Sequence, residues 1–310
     1  MAISNELNTL KANISRAYTM IQNKGGTIPT NKNTQNLSSA ISTIQGGGSG
    51  TDYFVDSIPS NNYKAIKLIK SIPPITVGNN VTSMQELFSN CSSLNTISLL
   101  DTSNVTNMNS MFKTCTSLTT IPLLDTSKVT NLINMFSDCT ALTTIPALNT
   151  SSATTMSAMF RNCTSLTTVP LLDTSKVTNM QEMFFSCTSL TTVPLLDTSK
   201  VTNMQSMFSS CSALTTIPLL DTSSITNIWR TFNSCGNIEN IGGFQNLGNA
   251  YSKTASAATY YYELSLSSAT NLTHDSLMNV INNLYDIATK GCKAQKLTLG
   301  TDNMAKLTAE

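Results

Sequence analysis

The sequence predicts an α/β solenoid of about seven 24-residue coils. Each coil is expected to be a short helix and a short parallel strand. A helical N-terminal anchor and a small α/β C-terminal cap flank the stack. Three columns of residues in register predict it. Cys91, Cys115, Cys139, Cys163, Cys187, Cys211 and Cys235 each lie 24 residues after the last. Phe88, Phe112, Phe136, Phe160, Phe184, Phe208 and Phe232 stand three residues before them, and Leu94, Leu118, Leu142, Leu166, Leu190, Leu214 and Ile238 three after. The nineteen residues CTSLTTVPLLDTSKVTNMQ occur twice, at 163–181 and at 187–205. A fixed period of this length marks stacked coils, and 24 residues are too few for a four-stranded propeller blade.

Residues 1–45 differ in kind from the repeats. Leu7, Leu10, Ile14, Ala17 and Ile21 step by three and four residues, an a/d seam of about two heptads. After the break NKGGTIPTNKNTQN, Leu37, Ile41 and Ile44 mark a second short helix. Two such helices bury too little to stand alone. The segment is therefore expected to dock, either on other copies as a homo-oligomer or on a different protein. GGGSG, within 46–52, is a flexible linker. Residues 53–80 are expected to cap the stack, with Ile72-Pro73-Pro74-Ile75 as an irregular first strand.

The repeats occupy 81–248. Val105, Met108, Met111 and Phe112 fall on one face of a two-turn helix. Asp101, Thr102 and Ser103 sit where side-chain oxygens cap a helix start. Thr-Thr-Ile-Pro then reads as a strand of three or four residues, ending at the prolines 122, 146, 170, 194 and 218, which cannot donate to a ladder. Helix, turn, strand and turn in 24 residues make the unit of a leucine-rich-repeat solenoid. With strands ~4.8 Å apart, seven coils give a rod roughly 30–35 Å long. Stacked cysteines at that spacing are too far apart for a disulfide and suit a buried turn as free thiols. Cys292 lies outside the ladder. The last coil decays at Trp229, Gly236 and Gly242-Gly243, as a terminal repeat should.

In 249–310 the columns stop. YYYELSLSS reads as a strand, and NLTHDSLMNVINNLYDIA as an amphipathic helix with Leu277, Ile281 and Leu284 on one face and Thr273 as its N-cap. KLTLGTDNMAKLTAE reads as a strand and the start of another helix.

The F-x-x-C-x-x-L core, followed by T-x-I-P-x-L-D-T-S and V-T-N-M, resembles the BspA-like leucine-rich repeats of bacterial and phage surface proteins. AYTMIQNKGGTIPTNKNTQNLSSAISTI is similar to N-terminal segments of phage structural proteins of Gram-positive hosts. These resemblances imply adhesion or surface display without enzymatic activity. They imply a virion protein assembled in the bacterial cytoplasm and released by lysis, most concretely a tail or baseplate fibre that binds a host-surface glycan or protein. Residues 1–45 would then attach it to other virion proteins. A capsid decoration protein and a bacterial adhesin are the alternatives.

Composition narrows the chemistry. Formal charge is +1, so no overall field draws in nucleic acid or a membrane surface. No apolar run approaches a membrane span, and MAISNELNTLKANISR lacks the basic flank and apolar stretch of a secretory signal. His274 is the one histidine. His274, Asp275 and Ser276 are consecutive, and neighbours at a helix start do not converge as a nucleophile, base and orienter must. The aspartates at 101, 125, 173, 197 and 221 form a column that could recruit calcium, but Asn149 interrupts it and the positions suit capping. Lys128, Lys176 and Lys200 beside them read as a solvated edge. No cofactor or metal is expected. What remains is an outward row of hydroxyls, Thr120, Thr144, Thr168, Thr192 and Thr216. Its repeated weak hydrogen bonds would add up by multivalency. The plainer reading is β-forming residues on a solvated face.

Overall fold

The computed structural model describes residues 53–55, 71–72, 75–77, 81–245, 263–282 and 296–308. The expected anchor in 1–45, the linker 46–52, and Cys292 lie outside these residues.

Through 81–245 the chain winds as a stack of coils in which equivalent residues lie over one another. Parallel bridges join Ser83 to Asn107, Asn107 to Asn131, Asn131 to Thr155, Thr155 to Asn179, Asn179 to Asn203 and Asn203 to Asn227, one coil per step.

The segment expected to be a helix is not one. Met108–Cys115 forms two reverse turns, in which Met111 N–H donates to Met108 O at 3.2 Å and Cys115 N–H to Phe112 O at 3.1 Å. The third residues of these turns, Ser110 and Thr114, have φ of 55° and 62°, and the same pair recurs from Glu86 and Asn90 to Arg230 and Ser234. Left-handed geometry costs an L-residue roughly 1–2 kcal/mol. It is offset by the bonds it permits. The N–H groups of Met108, Ser110, Phe112 and Thr114 donate to the carbonyls of Asn131, Ile133, Met135 and Ser137 in the next coil, at 2.7–3.0 Å. A helix would turn those donors back on its own chain. Asn107 adds to the diversion, because its Oδ1 accepts Asn109 N–H at 3.0 Å in an Asx turn that competes with helix. Two four-residue turns also bring side chains round every three or four residues, which is why the apolar spacing matched a helix.

The aspartates serve the same kind of turn. Asp101, Asp125, Asp173, Asp197 and Asp221 each accept the N–H two residues on, at 2.9–3.0 Å. The capping chemistry is as expected, but no helix follows it.

In the repeats, paired strands appear where the donor position of the ladder is not proline. β1 (Tyr53–Val55) pairs with β3 (Ile75–Val77), and β2 (Ser71–Ile72) with β4 (Thr96–Ile97). β5 (Thr216–Ile217) pairs with β7 (Asn240–Ile241), and β6 (Leu220–Asp221) with β8 (Phe244–Gln245), all parallel. In the middle coils the ladder thins to single bonds such as Thr143 N–H to Thr119 O, 3.1 Å, because the next ladder position is a proline with no donor. Ser98 and Gly242 hold that position in the end coils, and Gly242 N–H donates to Ile217 O at 2.8 Å. A Cβ at Gly242 would lie 2.6 Å from Leu219 N, so only glycine allows this approach.

The core is a set of columns. The seven phenylalanine rings stack nearly parallel at 5.4–5.7 Å, and Phe244 closes the stack edge-on to Phe232. Such pairs add about 0.5–1.5 kcal/mol each beyond the area they bury. All seven ladder cysteines are buried free thiols. From Cys115 onward each Sγ donates to the carbonyl of the phenylalanine 27 residues earlier, at 2.9–3.1 Å. Burial pushes the Cys91 thiol up to about 11 and those of Cys139, Cys187 and Cys235 up to about 12.

Beyond the repeats, β9 (Glu263–Ser265) pairs in parallel with β10 (Lys296–Thr298), and helices α1 (His274–Asn282) and α2 (Thr301–Leu307) follow them. Thr273 Oγ1 accepts Ser276 N–H at 3.2 Å at the start of α1. Its buried residues are Ser276, Leu277 and Val280. Ile281 is half-buried, and Leu284 lies outside the described residues. The inward face is thus rotated by about one residue from the expected one. The cause is Ser276, whose hydroxyl donates to Glu239 O and accepts Ile241 N–H, seating the helix on the last coil.

Candidate interaction surface

One side of the coil runs Thr-Thr-Ile/Val-Pro-Leu-Leu-Asp-Thr at 119–126, 167–174, 191–198 and 215–222, with variants in the other coils. Ile121 and the second leucine, Leu124, point inward; Thr120, Leu123 and Asp125 are exposed. Stacking turns each of these into a row. The side chains of Thr120, Thr144, Thr168, Thr192 and Thr216 are all exposed, and none hydrogen-bonds to another described residue.

The other threonine columns are engaged in the stack. Thr106, Thr130, Thr154, Thr178, Thr202 and Thr226 donate their hydroxyls to the preceding coil at 3.0–3.3 Å. Thr126, Thr150, Thr174, Thr198 and Thr222 are buried and donate to the following coil at 2.7–2.9 Å. In the first coil the equivalent Thr102 hydroxyl is buried without a partner, and nothing in the structure explains it.

Sequence reasoning missed the row next to the threonines. Leu99, Leu123, Leu171, Leu195 and Leu219 are 67, 60, 70, 64 and 42% exposed, and Met304 is the one other large exposed hydrophobic among the described residues. The signal was present. Buried positions recur every three residues through Met108, Met111, Cys115 (after Phe112), Leu118, Ile121 and Leu124; Leu123 falls off that step. Proline conceals this, because it reads as the end of a strand where inward and outward lose meaning.

Beside the leucines a groove of about 720 Å³ extends from Leu148 to Gln245. Leu171, Leu195 and Leu219 form one wall and Asp173, Asp197 and Asp221 the other. Buried Leu172 and Leu196, with Thr174 and Thr198, form the floor. Hydroxyls and then N–H groups of Ser127, Ser175 and Ser199 hold Asp125, Asp173 and Asp197 below the usual carboxylate range; for Asp101 the Ser103 N–H comes first. The wall is a row of carboxylates, with Lys128, Lys176 and Lys200 near enough to Asp125, Asp173 and Asp197 to add to the lowering.

The opposite side of the coil has a mixed exterior. Arg161 pairs with Glu182 at 3.2 Å and lies over the Phe185 ring, and Arg230 covers Trp229. His274 Nδ1 is 3.8 Å from Asp275 Oδ1, while the Ser276 hydroxyl faces the last coil, so these three do not converge. The expected anchor contacts Leu7, Leu10, Ile14, Ile21, Leu37 and Ile41 lie outside the described residues. Among the described residues no helix is long and apolar enough to cross a membrane.

A family model described as a Mycoplasma protein of unknown function, DUF285, matches residues 76–171 and again 167–263, more than half of the chain. No curated protein matches. Similar crystal structures include a leucine-rich cell surface protein of Faecalibacterium prausnitzii, 20% identical over 80% of this chain and 65% of that one, with a TM-score of 0.37. A leucine-rich-repeat protein of Eubacterium ventriosum is 26% identical over 60% and 43%, TM-score 0.36. Another, from Bacteroides ovatus, is 15% identical over 82% and 85%, TM-score 0.29. This chain spans less than two thirds of the first two.

Proposed function

The chain belongs to the DUF285 family, and we propose that it is a non-enzymatic display protein whose rod makes surface contacts of an adhesive kind. One observation carries this reading. The repeated thiols, the aspartates and two of the threonine columns are engaged inside the stack or its turns, while a nearly constant apolar and hydroxyl-rich face is turned outward from coil after coil. Chemistry of that sort suits many weak contacts in parallel, whereas a catalytic site is built once.

In its finer form the proposal is a phage fibre at the tail or baseplate, attached to other virion proteins by residues 1–45 and touching the host surface with the repeats. It rests on the BspA-like repeat pattern and on the N-terminal resemblance to phage structural proteins.

Immunogold labelling of native particles with antibody to the repeats tests the finer form. Label at the tail tip is the expected result; label over the capsid or absence from particles overturns it. Purified full-length protein is also expected to compete with adsorption to host cells. Unchanged adsorption at saturating protein removes the adhesive role.

A further inference from the structure

The leucine row does nothing for the stack that exposes it. Five leucines in a line form an apolar strip of the kind that marks a contact surface. Its period restricts what can lie along it. Coils repeat at ~4.8 Å along hydrogen-bonded strands and at 5.4–5.7 Å along the phenylalanine column. An α-helix has 3.6 residues per turn, so no one position of it returns to the row at every coil. An extended strand repeats its side chains at about 6.7 Å and drifts out of step. A second copy of this rod has the same spacing and stays in step along the whole row.

We propose that two copies of this chain associate side by side along their leucine rows, with the rods pointing the same way. Charge selects the direction. Within a coil the free Thr120 row precedes the leucine and the Asp125 row follows it, so the two rows flank the strip on opposite sides. A two-fold axis parallel to the rods sets the threonine row of each copy against the aspartate row of the other, hydroxyl donors facing carboxylate acceptors. Antiparallel rods would set aspartates against aspartates. Register follows from one irregular coil, in which Ala147 stands for leucine and Asn149 for aspartate. In parallel rods this coil meets itself, and Thr144 of each copy faces the neutral Asn149 of the other. In antiparallel rods it would meet a coil bearing Leu171 and Asp173.

The test uses the full chain. Sedimentation equilibrium over a range of concentrations is expected to show a monomer–dimer equilibrium, and Leu171→Gln with Leu195→Gln to raise its dissociation constant at least about tenfold. Both leucines are exposed, so circular dichroism of the variant should be unchanged. A monomer at every concentration, or a dimer indifferent to the substitutions, overturns the proposal. Spin labels on Leu99→Cys, Leu171→Cys and Leu219→Cys, each with Cys292→Ser, provide the second measurement. The buried ladder thiols leave the introduced cysteine as the reactive one. Equal short separations at all three positions are expected. A short separation at 171 alone, with the end labels about 24 Å further apart, overturns the parallel arrangement.

Discussion

The two long sides of each coil are held and decorated in opposite ways. The turn side carries four inter-coil backbone bonds at every junction, and its outward residues change from coil to coil, as Lys113, Arg161 and Phe185 show. The extended side keeps a sparse ladder thinned by proline, yet its exterior of threonine, leucine and aspartate hardly changes. Where backbone bonds and buried columns hold the stack, outer side chains are free to vary. Uniformity on the other side is not needed for stacking, and points to a contact that must stay in register.

Alkaline pH breaks the contrast most severely, because every ladder thiol lies on the turn side. Burial holds the folded thiols protonated, at about 11 for Cys91 and about 12 for Cys139, while unfolded ones ionise near the ordinary value of 9.0. The contribution is complete below pH ~9 and lost as pH rises towards the folded values, at about 1.4 kcal/mol per thiol per pH unit. Urea midpoints measured from pH 8 to 10.5 should therefore fall steeply. A flat profile would remove the buried thiols from the account of stability.

Phe160→Ala comes next. It opens a gap in the middle of the ring stack and should cost about 3–5 kcal/mol in urea unfolding. Leu172→Ala on the extended side should cost about 2–4 kcal/mol, and the reverse order would mean that the two sides share the load differently. Ala158 has φ of 53° and no polar side chain to compensate. Ala158→Gly is expected to stabilise by about 1 kcal/mol, read as a raised melting temperature. Smallest is Thr168→Ala, within about 0.5 kcal/mol of the parent for a monomer; a larger loss would show that this hydroxyl belongs to the fold.

The repeat length, the buried columns and the free thiols were legible in the sequence because they rest on which residues recur in step. The turn backbone was not. Val105, Met108, Met111 and Phe112 record that side chains return every three or four residues, but not whether Met108 N–H looks back along its own chain or across to Asn131. That choice is made by the neighbouring coil. The exposed leucines were hidden for a related reason. Inward residues step by three from Leu118 through Ile121 to Leu124, not by two as in a strand, so the inward direction of Leu124 rather than Leu123 is set by stacking. The threonine row, by contrast, directly precedes the apolar inward column of Ile121, Ile145, Val169, Val193 and Ile217, and so reads as outward.

The turn-side bonds also have a mechanical consequence. Bonds such as Phe112 N–H to Met135 O join one coil to the next, so tension along the rod pulls on them end-on. A junction that gives way under load frees 24 residues, about 80 Å of extended chain, where the coil had occupied ~4.8 Å. Neighbouring junctions carry nearly the same residues and should yield at nearly the same force. Stretched between two moving surfaces, the rod would lengthen in equal steps and limit the force that reaches its attachment points.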